Sequence, residues 1–149
     1  MNKQKVKKII LNNFTGKKIT KIIAGGSNGS IVILRIGDNE FSLFIYCIWR
    51  LKEKDKIITG WNESCDSESG NLSKQIKLLL DKEIKNIDLS DFMDMKIHFV
   101  GGKVFNIFCD ITPKYEPDDY DENWVKSDIE NNKSYRLKNN FKIKVSSYK

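Results

Sequence analysis

The chain has little of what marks the easily read protein classes. Among its 149 residues are 3 cysteines, 2 prolines and 1 histidine. Cys47, Cys65 and Cys109 form an odd set with no CxxC spacing, which argues against a disulfide framework and against a zinc site. So few prolines, with 9 glycines, exclude collagen-like, linker-like and low-complexity composition. No apolar run is long enough to span a bilayer as a helix. The lysine-rich start, Met1 to Lys8, is followed only by Ile9, Ile10 and Leu11 before Asn12 and Asn13. That is too little for the apolar segment of a secretion signal. These absences predict a reducing compartment, the cytoplasm, and no membrane association.

Catalytic signatures are missing as well. The chain has no GxxxxGK(S/T), no GxGxxG after a strand and no HExxH. Gly25-Gly26-Ser27-Asn28-Gly29 has the composition of a phosphate-cradling loop, but it joins two expected antiparallel strands and not a strand to a helix. It reads as a turn. His98 lies on an expected strand, opposite Met95, Ile97 and Phe99, with no nucleophile or carboxylate at a telling spacing. Cys47 and Cys109 close apolar strands and read as buried structural thiols. Cys65 sits among Glu63, Asp66 and Glu68, which keep a thiol protonated. The expectation is a protein that is not an enzyme, with no catalytic residue, no cofactor and no metal.

What is present is enough apolar material for a packed core: 40% hydrophobic and 11% aromatic residues in a chain of ordinary single-domain length. Residues 1–149 are read as one domain. Val6, Ile9, Ile10 and Phe14 recur at helical spacing and predict a helix over residues 3–12. The period then changes to two, with strands expected at Lys18–Ala24, Ile31–Ile36 and Phe41–Trp49, and a short one near Lys56–Thr59. Asn71 or Ser73 opens a second helix with Leu72, Ile76, Leu79 and Leu80 as its stripe.

The second half then resembles the first. Gly16 to Ile22 matches Asp81 to Ile87, Ile31 to Gly37 matches Met95 to Gly101, and Ile45-Tyr46-Cys47 matches Ile107-Phe108-Cys109 if the second hairpin loop is two residues shorter. The predicted fold class is therefore α+β and mainly antiparallel. It has two pseudo-repeated units, each a helix plus a three-stranded meander, in halves of about residues 1–70 and 71–149. A tail adds strands near Trp124-Val125, Ser134–Leu137 and Phe141–Val145.

Charge is unevenly spread around the net +6. Residues 1–21 and 131–149 hold lysines and one arginine without an acid, whereas Tyr115 to Glu130 is acidic with a single Lys126. Within that segment Asp119, Asp121, Asn123, Ser127 and Glu130 are spaced like the ligands of an EF-hand-type loop. Trp124 stands where the loop's sharp turn requires glycine, so a solvated acidic loop is the stronger reading.

Two kinds of partner compete for these features. The basic ends, Lys3 to Lys21 above all, are the electrostatic footprint of a nucleic-acid binder. Yet arginine is scarce and no helix-turn-helix, zinc finger or aromatic RNP-like strand is evident, so nucleic acid is the disfavoured partner. Glu116, Asp118, Asp119, Tyr120, Asp121, Glu122 and Trp124 combine acids with aromatic anchors on a loop that no fold argument requires. They are the candidate protein-binding residues.

Several runs carry a family resemblance: Phe41 to Leu51, Ile57-Ile58-Thr59-Gly60-Trp61, Val104 to Asp110 and Asp121-Glu122-Asn123-Trp124. From about Gly16 to Trp124 the pattern resembles small bacterial proteins that accompany polymorphic or contact-dependent toxins and are taken to be immunity proteins. Trp49, Arg50, Trp61 and Trp124 match the recurrent positions, and Trp49 also suits a core role. The resemblance implies a cytoplasmic, stoichiometric inhibitor that sits on a cognate toxin domain, often a basic nuclease. The net positive charge departs from the acidic balance common among nuclease inhibitors.

Overall fold

The computed structural model of the chain describes residues 1–62, 71–114, 116 and 121–147. Helix α1 (Lys3–Phe14) is capped by Asn2, whose Oδ1 accepts from the Gln4 and Lys5 amides at 2.8 and 3.4 Å. Val6, Ile10 and Phe14 recur every four residues and are all buried, so one face of the helix is given to the core. The second helix is shorter than its stripe suggests. α2 (Asn71–Ile76) tightens into a 3-10 turn over Lys77–Leu79, burying Leu72, Ile76 and Leu79. The tightening turns Leu80, expected in the core, out to 43% exposure. Among the described residues no helix is long and apolar enough to cross a membrane.

The fold is α+β with two antiparallel sheets. Strands β1 (Ile19–Ile23), β2 (Val32–Ile36), β3 (Phe41–Ile45), β4 (Ile48–Glu53) and β5 (Lys56–Gly60) precede α2. Strands β6 (Ile84–Leu89), β7 (Met95–Phe99), β8 (Lys103–Phe108), β9 (Glu122–Asp128), β10 (Lys133–Lys138) and β11 (Ile143–Ser147) follow it. The six-stranded sheet runs β1-β2-β3-β9-β10-β11 and the five-stranded sheet β5-β4-β8-β7-β6. The meander β1–β3 is therefore extended by the three strands β9–β11, and the meander β6–β8 by the hairpin β4–β5, each from the other half of the chain. The run Phe41 to Trp49, expected as one strand, is two strands in different sheets, with Tyr46 and Cys47 as the crossing.

The two meanders meet through a reciprocal set of backbone hydrogen bonds around the Lys18–Glu83 bridge. The Gly16 amide donates to the Ile84 carbonyl and the Asp81 amide to the Ile19 carbonyl, both at 2.8 Å. The Ile84 amide donates to Lys17 and the Ile19 amide to Lys82, at 2.8 and 3.0 Å. β1 and β6 each break register after their first residue. Ile36 pairs with Ile19 and Phe99 with Ile84, so aligning the two meanders on these pairs would set Val32, Leu34 and Ile36 beside Met95, Ile97 and Phe99. That is one residue off the correspondence expected from the sequence pattern.

Both inward faces share one core. Its largest members are Trp49 and Trp124. Trp49 lies across from Ile107 in the five-stranded sheet, and Trp124 across from Ile45 in the six-stranded one. Each buried indole needs an acceptor. Trp49 Nε1 donates to the Ser30 carbonyl at 2.8 Å and Trp124 Nε1 to the Met93 carbonyl at 3.3 Å. Replacing a tryptophan so enclosed by alanine typically costs about 3–5 kcal/mol.

One inward position breaks the apolar pattern. Lys126 follows Trp124 at the strand period, lies between Leu43 and Tyr135 in the sheet, and is 0% exposed. Its Nζ donates to Asn13 Oδ1 of α1 at 2.5 Å and stands 4.7 Å and 5.1 Å from the ring centroids of Phe41 and Tyr135. This tethers helix to sheet, but burial opposes the charge and lowers the ammonium pKa to about 8, with Asp128 pulling it upward and Lys133 further down.

Between pH 8 and the ordinary lysine range the unfolded chain keeps this proton while the folded chain releases it, so Lys126 lets stability rise with pH across that window. We expect Lys126→Met to be more stable than the parent near neutral pH by roughly 2–3 kcal/mol. The gap should shrink steadily as pH approaches 10. Urea melts of both proteins from pH 6 to 10 check this; a gap independent of pH would assign the lysine no burial penalty.

Candidate functional site

The crossing at Tyr46 and Cys47 builds a surface groove of about 420 Å³. β4 pairs with β8 so that Ile48 faces Phe108, and continuing that register sets Cys47 opposite Cys109. Tyr46 donates its amide to the Asn123 carbonyl at 2.9 Å, carrying the six-stranded ladder one residue beyond β3. Groove walls come from both sheets: Tyr46, Cys47, Ile48 and Trp61 on one side, Phe108, Cys109, Asp110, Glu122, Asn123 and Asn139 on the other.

Several hydrogen bonds fix its floor. Asn123, almost wholly buried, clamps the backbone of Asp110: its Oδ1 accepts from the Asp110 amide at 2.7 Å and its Nδ2 donates to the carbonyl at 3.0 Å. Asp94 Oδ1 accepts from the Cys109 amide at 2.6 Å, and Cys109 Sγ donates to the Met93 carbonyl at 3.3 Å. Cys47 and Cys109 are free thiols. The Cys47 thiol beside it, burial and the Asp94 carboxylate all push the Cys109 thiol pKa upward, which suppresses thiolate chemistry there. Asn139 Oδ1, on the groove wall, is buried without a hydrogen-bond partner among the described residues.

The rim is apolar and open. Ile48 is 56% exposed and Phe108 36%, although they are paired on central strands of the five-stranded sheet. The Arg50 guanidinium lies over the Phe108 ring, 5.0 Å from its centroid. Tyr46 and Trp61 are half-buried beside them. The sequence signal for these residues was the alternation Ile48, Arg50, Lys52 against Trp49, Leu51.

The residues expected to bind a partner divide unevenly. Asp118, Asp119 and Tyr120 lie outside the described residues. Glu116 is exposed and Asp121 half-buried, its carbonyl accepting from the Asn139 amide at 3.1 Å. Glu122 and Trp124, expected on an exposed loop, are buried instead. β9 begins at Glu122, earlier than expected, and places Trp124 in the core at 0% exposure. The Glu122 carboxylate is buried and takes Arg136 at 2.8 and 3.1 Å, with Lys138 Nζ at 3.6 Å.

His98 gains a neighbour the spacing did not reveal, since β6 pairs with β7 and brings Asp88 Oδ2 within 2.8 Å of Nε2. The pair is on open surface, and Asp88 itself is 65% exposed in its side chain. A metal-sized cluster of His, Cys, Asp and Glu does not occur among the described residues.

Glu122 is thus a structural counter-ion and Glu116 a surface charge. We expect Glu122→Gln to lower stability by about 1–3 kcal/mol by stripping a charge-assisted bond from Arg136. Glu116→Gln should leave stability within about 0.5 kcal/mol. Parallel urea melts at pH 7 check the contrast, and equal effects would return Glu122 to the surface set.

Comparison of the chain with protein-family models, with curated proteins and with solved structures finds no match in any of the three.

Proposed function

We propose that the protein is a binding module of the immunity-protein kind, which neutralises a cognate bacterial toxin domain in the cytoplasm by stoichiometric association. The observation that carries this reading is the Ile48–Phe108 pair. Two large apolar side chains stand exposed on the inner strands of a sheet, beside half-buried Tyr46 and Trp61. Burying such a cluster against a partner supplies affinity of the hot-spot type, concentrated in a few aromatic and apolar anchors. Asp110 and Glu116 at the entry to the acidic segment favour a cationic partner surface, as a nuclease domain presents, and charge of that kind mainly speeds encounter.

Free thiols at Cys47 and Cys109 suit a reducing compartment.

The test is binding to the purified product of the open reading frame next to this one. Ile48→Asp combined with Phe108→Ala should weaken the complex by about a hundredfold or more, mostly through faster dissociation. Thermal melting should fall only modestly, because Ile48 is mostly in water and the Phe108 truncation removes a partly covered ring and its Arg50 contact. Glu116→Gln should instead slow association at low salt and flatten its salt dependence. Full affinity in the Ile48/Phe108 double variant would remove this groove as the interface.

A further inference from the structure

We propose that the outward face of the six-stranded sheet binds a nucleoside phosphate, as a free nucleotide or as a unit of single-stranded nucleic acid. With Leu34, Ile36, Leu43, Ile45 and Leu137 buried inward, the alternate residues of the same strands face out. Register then sets Arg35, Ser42, Ser127 and Ser134 in one row across β2, β3, β9 and β10, and Phe44, Val125 and Arg136 in the next. Because Ser42 and Ser127 are small, a hollow of about 330 Å³ remains between the two arginines. That volume is at the lower end of those that hold small ligands, roughly 300–1,000 Å³.

Each part of the hollow has a counterpart in a nucleotide. The Phe44 and Tyr46 rings are nearly parallel, 16° between planes and 6.3 Å between centroids, and both are half-buried. Such rings offer a base a stacking surface whatever its sequence. Arg35 and Arg136 stand on strands either side of β3 and β9; Arg136 is already paired to the Glu122 carboxylate, so Arg35 is the guanidinium placed to take a phosphate. Guanidinium is the side-chain group best matched to phosphate oxygens. Glu122 holds the Arg136 side chain in place from the neighbouring strand.

Asn132 at the rim has both a donor and an acceptor for a base edge. Lys21 and Lys144 extend the same two rows and are exposed. Asp128 also lines the hollow and accepts from the Asn131 amide and side chain at 3.1 and 2.9 Å; its charge favours seating the phosphate at the Arg35 side. An acidic peptide would match the arginines but leave the parallel rings unused, so the base-bearing ligand fits better. This face lies apart from the lysines of α1 that the sequence marked, and it has the aromatic strand that the linear pattern did not reveal.

The experiment is fluorescence anisotropy at low salt, about 50 mM, with labelled oligo(U), a fluorescent ATP analogue and labelled oligo-glutamate as probes. We expect oligo(U) to bind. Arg35→Gln should weaken it about tenfold and reduce the salt slope by about 0.7, the value for one single-strand phosphate contact. Phe44→Leu should weaken it comparably with the slope unchanged. Lys5→Gln with Lys8→Gln, which remove charge from exposed positions of α1, should change affinity less than twofold.

Competition by the ATP analogue identifies a mononucleotide site, and its absence an extended-strand site; either supports the proposal. Backbone amide shifts on adding oligo(U) to the unmodified protein are expected at Ser42, Ser127 and Asn132, a readout that depends on no variant. Absence of binding, shifts confined to α1, equal loss in the lysine control, or oligo-glutamate bound as tightly as oligo(U) would each overturn it.

Discussion

Neither meander closes on itself: the hydrogen-bonding edge of β3 is completed by β9, and that of β8 by β4. A buried strand cannot leave a row of amides and carbonyls unpaired, because each orphaned group forfeits its bond to water without gaining another. The exchange of hairpins satisfies both edges at once. It also couples the two parts of the chain, since the β3–β9 and β4–β8 ladders join strands far apart in sequence. The tryptophans repeat the same reciprocity in side chains. Each sits on a donated hairpin and hydrogen-bonds the loop after the first strand of the meander in the other sheet.

The position of the groove follows from that exchange. With only Tyr46 and Cys47 between β3 and β4, the chain has to change sheets over a very short path. Two side chains cannot also roof the junction. Ile48 and Phe108, the first and last residues of β4 and β8, therefore end up facing solvent where the sheets part. Apolar exposure at this place is a consequence of topology, and it persists only if a partner or tolerance for hydration offsets it. The opposite choice was made on the outward face of the six-stranded sheet. Ser42 and Ser127 lower the floor there, leaving a hollow beside Arg35 and the Phe44 and Tyr46 rings.

Much of the fold was legible because the apolar pattern changes period cleanly. Helix α1, the two meanders and three tail strands follow from the spacing of Val6, Ile10 and Phe14 and the alternation through Leu34, Leu43 and Ile97. What did not show was the sheet change at Tyr46-Cys47. No glycine, proline or polar pair marks it, and both flanking strands are apolar, so the run reads as continuous. The pairing partners of β4 and β9 were hidden for a different reason, since strand order is set by contacts far apart in sequence. Of the candidate site, the acidic segment was visible as composition. The burial of Glu122 and Trp124 was not, because it depends on where β9 starts.

Lys126 and Glu122 together show why net charge guided poorly here. Both are ionisable residues of β9, four positions apart, and both are withdrawn from the surface. Lys126 turns inward to α1 and the rings of Phe41 and Tyr135, while Glu122 is spent on Arg136 and Lys138 of β10. The acidic segment consequently shows a partner less charge than its composition suggests, and the basic tail loses Arg136 and Lys138 to internal pairing. Long-range attraction from what remains is modest at physiological ionic strength, where fields between exposed charges fade over about 8 Å. On the proposed binding function, durable association at the groove would come from removing Ile48 and Phe108 from water, with Glu116 acting on the rate of encounter more than on the strength of the complex.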